Sequence, residues 1–233
     1  MLQKIIPNKY KGAAYKLKQS ILGSYFNKSY SQEGEDMVLH RMIGNIKNGF
    51  YVDVGAHHPF RFSNTYFFYQ KGWRGINIDA MPGSMDAFNT KRSRDINLEV
   101  AVAEKPEELT FYIFEEPAIN SFDKELSEKR IQNGDKLIEK KVIQTQTLEQ
   151  ILDKNLPPNQ PIDFISIDVE GLDLMILKSN NWKKYSPKIV AVECLGFDLI
   201  SIQNDAVYKF LVDQGYVLVA KTVNTCFFQK NNP

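Results

Sequence analysis

The sequence predicts a doubly wound α/β fold: one sheet of seven mostly parallel strands that ends in an antiparallel hairpin. Three observations carry this. Short apolar runs rich in β-branched residues alternate with helical or loop spacers, the signature of βαβ units. Most runs are almost continuously apolar, as strands covered by helices on both faces are. The last two runs, Tyr216 to Lys221 and Thr225 to Gln229, lie too close together for a crossover helix. They must pair antiparallel through a turn near Val223 and Asn224.

In chain order the remaining core strands are Phe50 to Val54, Gly75 to Asp79, Asn97 to Val102, Asp163 to Asp168 and Ile189 to Glu193. Between the third and fourth lies a long section, Glu104 to Gln160. It holds an extra strand at Leu109 to Phe114, a charged stretch from Asp123 to Lys141 and a helix around Leu148 to Leu152. So mixed a charge run reads as a solvated face or mobile loop, and in this place also as a lid over a ligand.

The 233 residues fit one generous domain, and a 43% hydrophobic, 24% charged composition is that of a soluble globular protein. A net charge of +1 gives no pull toward nucleic acid, so a DNA or RNA partner is not expected. No apolar run reaches the roughly 18 to 20 residues that cross a bilayer, and the N-terminus lacks the apolar stretch of a signal peptide. A cytoplasmic location is therefore expected. Cys194 and Cys226 sit in apolar runs without metal or redox spacing and read as buried thiols. We divide the chain into a basic arm, residues 1–30, and a catalytic domain, residues 31–233. The arm carries six lysines, and docking on an anionic membrane face or a partner is one use for it. Pro7 and Gly12 interrupt any long amphipathic helix there, which favours an arm that covers the domain.

The chemistry gathers at strand ends. Tyr51-Val52-Asp53-Val54-Gly55-Ala56-His57-His58-Pro59 is an apolar strand that ends in an acid and a small-residue turn, where open α/β sheets bind ligands. The three glycines of a pyrophosphate-binding G-x-G-x-x-G loop are missing, which disfavours a nicotinamide oxidoreductase. About 25 residues on, the second strand ends in Asp79, placed to accept hydrogen bonds from ribose hydroxyls; a helix cap is the competing reading. An anion at Asp53 suits the cationic sulfonium and ammonium of S-adenosylmethionine better than phosphates. The fourth and fifth strands deliver Asp168, Glu170 and Glu193 to the same edge, as a general base or as ligands of a divalent cation such as Mg²⁺.

The chain resembles the FkbM family of methyltransferases, in a branch with His-His-Pro after the first strand. The resemblance rests on Ser31-Gln32-Glu33-Gly34-Glu35-Asp36, Asp53 through Pro59, Ser63-Asn64-Thr65, Gly72 through Asp79 and Ile167 through Gly171. It implies a Rossmann-like class I methyltransferase domain that uses S-adenosylmethionine. It further implies a cofactor pocket lined by Asp53, Gly55, Ala56, Asp79, Ala80, Val100, Ala101 and Asp168, closed by Gln32 and Asp36. Where the wider family usually has Asn and Gly after Gly55-Ala56, this chain has His57, His58 and Pro59. Ser31 before the acids also reads as a helix start.

Methyl transfer to a hydroxyl needs in-line positioning and a base. His57 and His58 are the first candidates, with Asp168 and Glu170 competing. On the acceptor side Asn64, Asn120, Ser121 and Glu193 are expected to bind substrate. The aromatic run from Phe60 to Trp73 reads mainly as helix packing, with stacking on a sugar ring as the alternative. The resemblance implies O-methylation of a glycan or surface-polysaccharide precursor. Two other readings stay open: a noncatalytic scaffold of the same fold in glycan assembly, and a metal-dependent hydrolase using His57, His58, Asp168 and Glu193.

Overall fold

The computed structural model describes residue 12, residues 27–196 and residues 199–231. Apart from Gly12 and residues 27–30, the basic arm lies outside the described residues. Helix α1 (Glu35–Ile43) leads into β1 (Phe50–Val54), α2 (Tyr66–Gln70), β2 (Arg74–Asp79), α3 (Ser84–Lys91) and β3 (Ile96–Glu99). A second group follows: β4 (Ala101–Val102), β5 (Glu108–Phe114), α4 (Lys124–Gln132) and β6 (Leu137–Gln146). The chain then returns through α5 (Leu148–Asn155), β7 (Phe164–Ile167), α6 (Asp173–Lys178), β8 (Ile189–Glu193), α7 (Ala206–Asp213), β9 (Tyr216–Lys221) and β10 (Thr225–Lys230).

Seven strands form the main sheet in the order β3-β2-β1-β7-β8-β10-β9. The first five are parallel, and β10 runs antiparallel to both β8 and β9. This is the predicted sheet with its terminal hairpin. The strand order reverses between β1 and β7, which opens a crevice at their carboxyl ends. Alternate residues of each strand face opposite layers: Val52 and Val54 enter one core with Ile76, Ile165 and Val190, while Tyr51 enters the other with Phe68, Trp73 and Phe164. Each such fully buried side chain contributes about 1.5–3 kcal/mol. Phe68 and Tyr69 of α2 are buried as packing predicts, whereas Phe60 and Phe62 before it are exposed.

Two parts of the sequence reading are corrected. The third strand does not run unbroken from Asn97 to Val102. It ends at Glu99, and Ala101–Val102 pairs instead with Thr145 and Gln146 of β6. The charged stretch from Asp123 to Lys141 is a solvated face, but one made of regular structure and not a mobile loop. It holds α4, whose Asp123 cap accepts from the Leu126 backbone N–H (2.9 Å), and the first half of β6, which pairs along its length with β5. That hairpin is held by its ladder while most of β6 faces solvent, so no apolar pattern announces it.

Candidate active site

The turn after β1 folds back on β2. The N–H groups of Gly55 and Ala56 both donate to the Ile78 carbonyl, at 2.9 and 3.0 Å. Gly55 has φ +82°, and a Cβ built there would lie 1.8 Å from the Asp168 carbonyl oxygen, so only glycine lets the β1 and β7 ends meet. His57 is also left-handed, with φ 53°, a conformation that turns its N–H toward Asp79. Asp79 thus accepts from His57 N through Oδ2 and from Met81 N through Oδ1, both at 2.8 Å. Burial raises its carboxyl above the usual range, against the pull of those two bonds. Each oxygen keeps a further lone pair for a ligand.

A cavity of about 360 Å³ opens over this turn. Gln32, Gly55, His57, Asp79, Ala80, Val100, Asp168 and Glu170 line it from the sheet side, with Asn120 and Ser121 from the segment after β5. Their polar groups are unequally free. Asn120 Oδ1 accepts from Phe114 N (2.8 Å), and Ser121 Oγ donates to the Glu170 carbonyl (2.9 Å).

Other expected residues do not line it. Asp53 points to the Tyr51 side of the sheet, as strand alternation requires. There it accepts from Thr65 Oγ1 at 2.6 Å, and burial raises its carboxyl to about 6. Ala56 packs with Met85 and Phe88, and Ala101 is turned into the core between the cavity-lining Val100 and Val102. Asp36 is fully buried and accepts from Ser29 Oγ, Tyr30 N and Ser31 Oγ. His58 Nδ1 accepts from the N–H groups of Phe60 and Arg61, so it braces its own loop. Asn64 donates to Ser166 Oγ at 3.0 Å.

At the β7 and β8 ends the acids converge. One carboxylate oxygen each of Asp168, Glu170 and Glu193 lies within 4.8 Å of the others. Asp168 has accessible area, but it opens into the cavity with protein around the rest. Burial first, then Asp173 and Glu170, holds its carboxyl well above the usual range. Burial, then Asp168 and Glu170, does the same to Glu193, whose Oε2 is buried without a hydrogen-bond partner. Glu170 sits at φ 58° and is ion-paired with Arg130 of α4. Asp173 accepts from Val169 N and Gly171 N, and burial brings it to about 7.

Three contributors escaped the sequence reading. Arg130 was one of many charges in a mixed run. Arg61 and Glu116 line the cavity and join across its mouth, with NH1 to Oε1 at 3.0 Å and NH2 to Oε2 at 3.2 Å. Arg61 NH1 also lies 3.3 Å from His57 Nε2. Burial first, then Arg61, lowers the His57 imidazole, which is therefore neutral at pH 7.

The methyltransferase FkbM domain model matches residues 53–218, well over half of the chain. The chain belongs to this family. The match runs from the end of β1 through the first half of β9, and all the described cavity-lining residues except Gln32 lie within it. No curated protein matches the chain. Among solved structures, a TehB-like SAM-dependent methyltransferase from Corynebacterium glutamicum is 10% identical, with TM-score 0.44 over 96% of this chain and 100% of that one. An RNA methyltransferase from Pyrococcus horikoshii, described as unverified in function, is 11% identical, with TM-score 0.46 over 94% and 98%. The O-methyltransferase from Bacillus cereus in complex with SAH is 9% identical, with TM-score 0.38 over 96% and 91%. At these scores the fold of this FkbM domain rests on its own strand order. No helix among the described residues is long and apolar enough to cross a membrane.

Proposed function

We propose that this FkbM domain is an S-adenosylmethionine-dependent O-methyltransferase acting on a sugar hydroxyl of a glycan or surface-polysaccharide precursor, in the His-His-Pro branch of the family. The observation that carries the reading is Asp79. Its carboxylate is fixed at a strand tip by two backbone N–H groups, with acceptor capacity left over, and lies on a cavity walled by Ile78, Val100 and Val102. That acceptor fits the hydroxyls of a ribose beside an apolar adenine pocket. S-adenosylmethionine supplies a methyl group on a sulfonium when bound.

The chain's own residues then bind, orient and take a proton. Asp79 holds the ribose; Gly55 and the Asp168 backbone shape the floor beneath the reacting end. His57 is the base we favour, because it lines the cavity, its imidazole is lowered by burial and it carries no carboxylate partner; its Nε2 lone pair faces Arg61 NH1 at 3.3 Å, a contact the acceptor hydroxyl has to displace. Asp168 is the competing base. Glu170 is held by Arg130 and His58 by its own loop, which leaves both less free to exchange a proton. Asn120, Ser121 and Asn64 belong to the acceptor side and its walls in this reading. Asp168, Glu170 and Glu193 carry three carboxylates against one guanidinium, a donor set that suits a hard divalent cation such as Mg²⁺. The test is incubation with S-adenosylmethionine and a panel of methyl glycosides and oligosaccharides, read by mass for a transferred methyl group. Methylated sugar in the wild type and none with His57→Ala supports the reading. Methyl transfer only to amines or to nucleic acid would refute the acceptor class.

A further inference from the structure

Ser31 through Asp36 forms a strap at the carboxyl end of the sheet, and its three acids all hold structure. Asp36 gathers residues 29–31, with bonds of 2.7 Å from Ser29 Oγ, 2.7 Å from Tyr30 N and 3.0 Å from Ser31 Oγ. Glu35, buried, accepts from Glu33 N at 2.8 Å and from Thr225 Oγ1 at 3.4 Å. Glu33 reaches the turn between β9 and β10, where its two oxygens accept from the N and Nδ2 groups of Asn224, each at 2.9 Å. Between these anchored residues stands Gln32. It is exposed, lines the cavity, and its amide has no hydrogen-bond partner among the described residues.

The sheet order says which end of the cavity Gln32 serves. Asp79 and Val100 wall the side of β2 and β3. The strap is tied to the opposite side: the Asn224 carbonyl accepts from Cys194 N at 2.7 Å, one residue past Glu193, and the charge of Glu35 is felt at Asp168. A methyl donor whose ribose is held at Asp79 and whose base lies against Val100 extends across β1 toward Asp168. Its amino-acid end therefore arrives on the side of Gln32. A free carboxamide offers two N–H donors to a carboxylate and a carbonyl acceptor to an ammonium, which are the two groups at that end.

We propose that Glu33 is a positioning residue which, through its paired bonds to Asn224, seats Gln32 against the amino-acid group of the methyl donor. The proposal rests on the adenosylmethionine reading, and its test separates the two. Two ligands are titrated calorimetrically, S-adenosylhomocysteine and 5′-methylthioadenosine; the second keeps the nucleoside and thioether but lacks the amino-acid group. Gln32→Ala and Glu33→Ala are expected to weaken S-adenosylhomocysteine about tenfold, the effect of one lost charge-assisted contact. Both should leave methylthioadenosine affinity at the wild-type value, and Gln32→Ala should leave the thermal midpoint there as well, whereas Glu33→Ala lowers the midpoint by the loss of its two bonds to Asn224. Glu33→Gln, whose amide oxygen can still accept from Asn224, is expected to recover most of the loss. Equal weakening of both ligands in Glu33→Ala, or unchanged S-adenosylhomocysteine affinity, overturns the proposal. If the wild type binds neither ligand, the cofactor reading itself has failed and the proposal falls with it.

Discussion

Replacing Gly55 by alanine probes the point where β1, β7 and the cavity meet. Two costs add there. The residue has φ +82°, where a side chain costs roughly 1–2 kcal/mol. The new Cβ would also stand 1.8 Å from the Asp168 carbonyl oxygen and 2.8 Å from its carbon. Backbone cannot swing aside as a flexible side chain does, so relief requires Asp168 to move, at about 1–3 kcal/mol for overpacking. The total, about 2–5 kcal/mol, lowers the midpoint of a domain this size by roughly 5–15 °C. Gly83 is the internal control: its φ is +78°, yet nothing lies within 4 Å of its added Cβ. Gly83→Ala should therefore show only the conformational cost, about 1–2 kcal/mol. Differential scanning calorimetry of both variants, with S-adenosylhomocysteine titrations on each, reads the difference. Gly55→Ala should melt well below Gly83→Ala and lose ligand affinity. Equal midpoints within about 1 °C, with binding intact in both, would refute the close approach of the two strand ends.

Asp53→Asn should stabilise the protein above pH 6. The folded carboxyl titrates at about 6 against 3.8 in the unfolded chain, so the folded state holds the extra proton between those values and stability falls as pH rises through them. By pH 7 the loss approaches ~3 kcal/mol, and urea titrations from pH 4 to 8 should show that slope flattened in Asp53→Asn. Arg92→Met should cost about 3–5 kcal/mol, because the buried guanidinium serves Asp95 (2.8 Å), Thr65 (2.9 Å) and Tyr51 (2.6 Å), and its removal leaves the Asp95 carboxylate with hydrogen bonds from Tyr51, Gly75 and Asn77 but without its countercharge; chemical denaturation measures it. Wild-type protein should bind Mn²⁺ as followed by electron paramagnetic resonance, and Glu193→Gln should weaken that binding at least tenfold; identical titrations in the two would remove the cation from the account.

Much of the fold was legible because the main sheet is buried on both faces and announces itself as apolar runs. Phe50–Val54 and Ile189–Glu193 match their predicted bounds, and the β9–β10 turn falls at Val223 and Asn224 as the short spacing requires. The smaller sheet was half legible: β5 buries Phe111 through Phe114, whereas β6 takes its structure from a partner strand. At the site, residues at strand ends were readable because topology alone gathers them, as with Gly55, Asp79 and Asp168. What one-dimensional reasoning lacked was side-chain direction. Asp53 and Ala101 belong to the right segments but face away from the cavity. Glu116 and Arg130 reach the site from segments beside the second sheet, whereas Arg61 stands two residues past the His-His-Pro turn with only its direction unread.

The central claim is that the cavity over Asp79 takes S-adenosylmethionine. Calorimetric titration of the purified protein with S-adenosylmethionine, S-adenosylhomocysteine and NAD, repeated for Asp79→Ala, tests it most directly. The account predicts saturable binding of the first two, none of NAD, and at least a tenfold loss in the variant as ribose contacts disappear. Absence of binding by either adenosyl ligand, with and without Mg²⁺, would contradict it and leave a methyltransferase-fold scaffold as the better description.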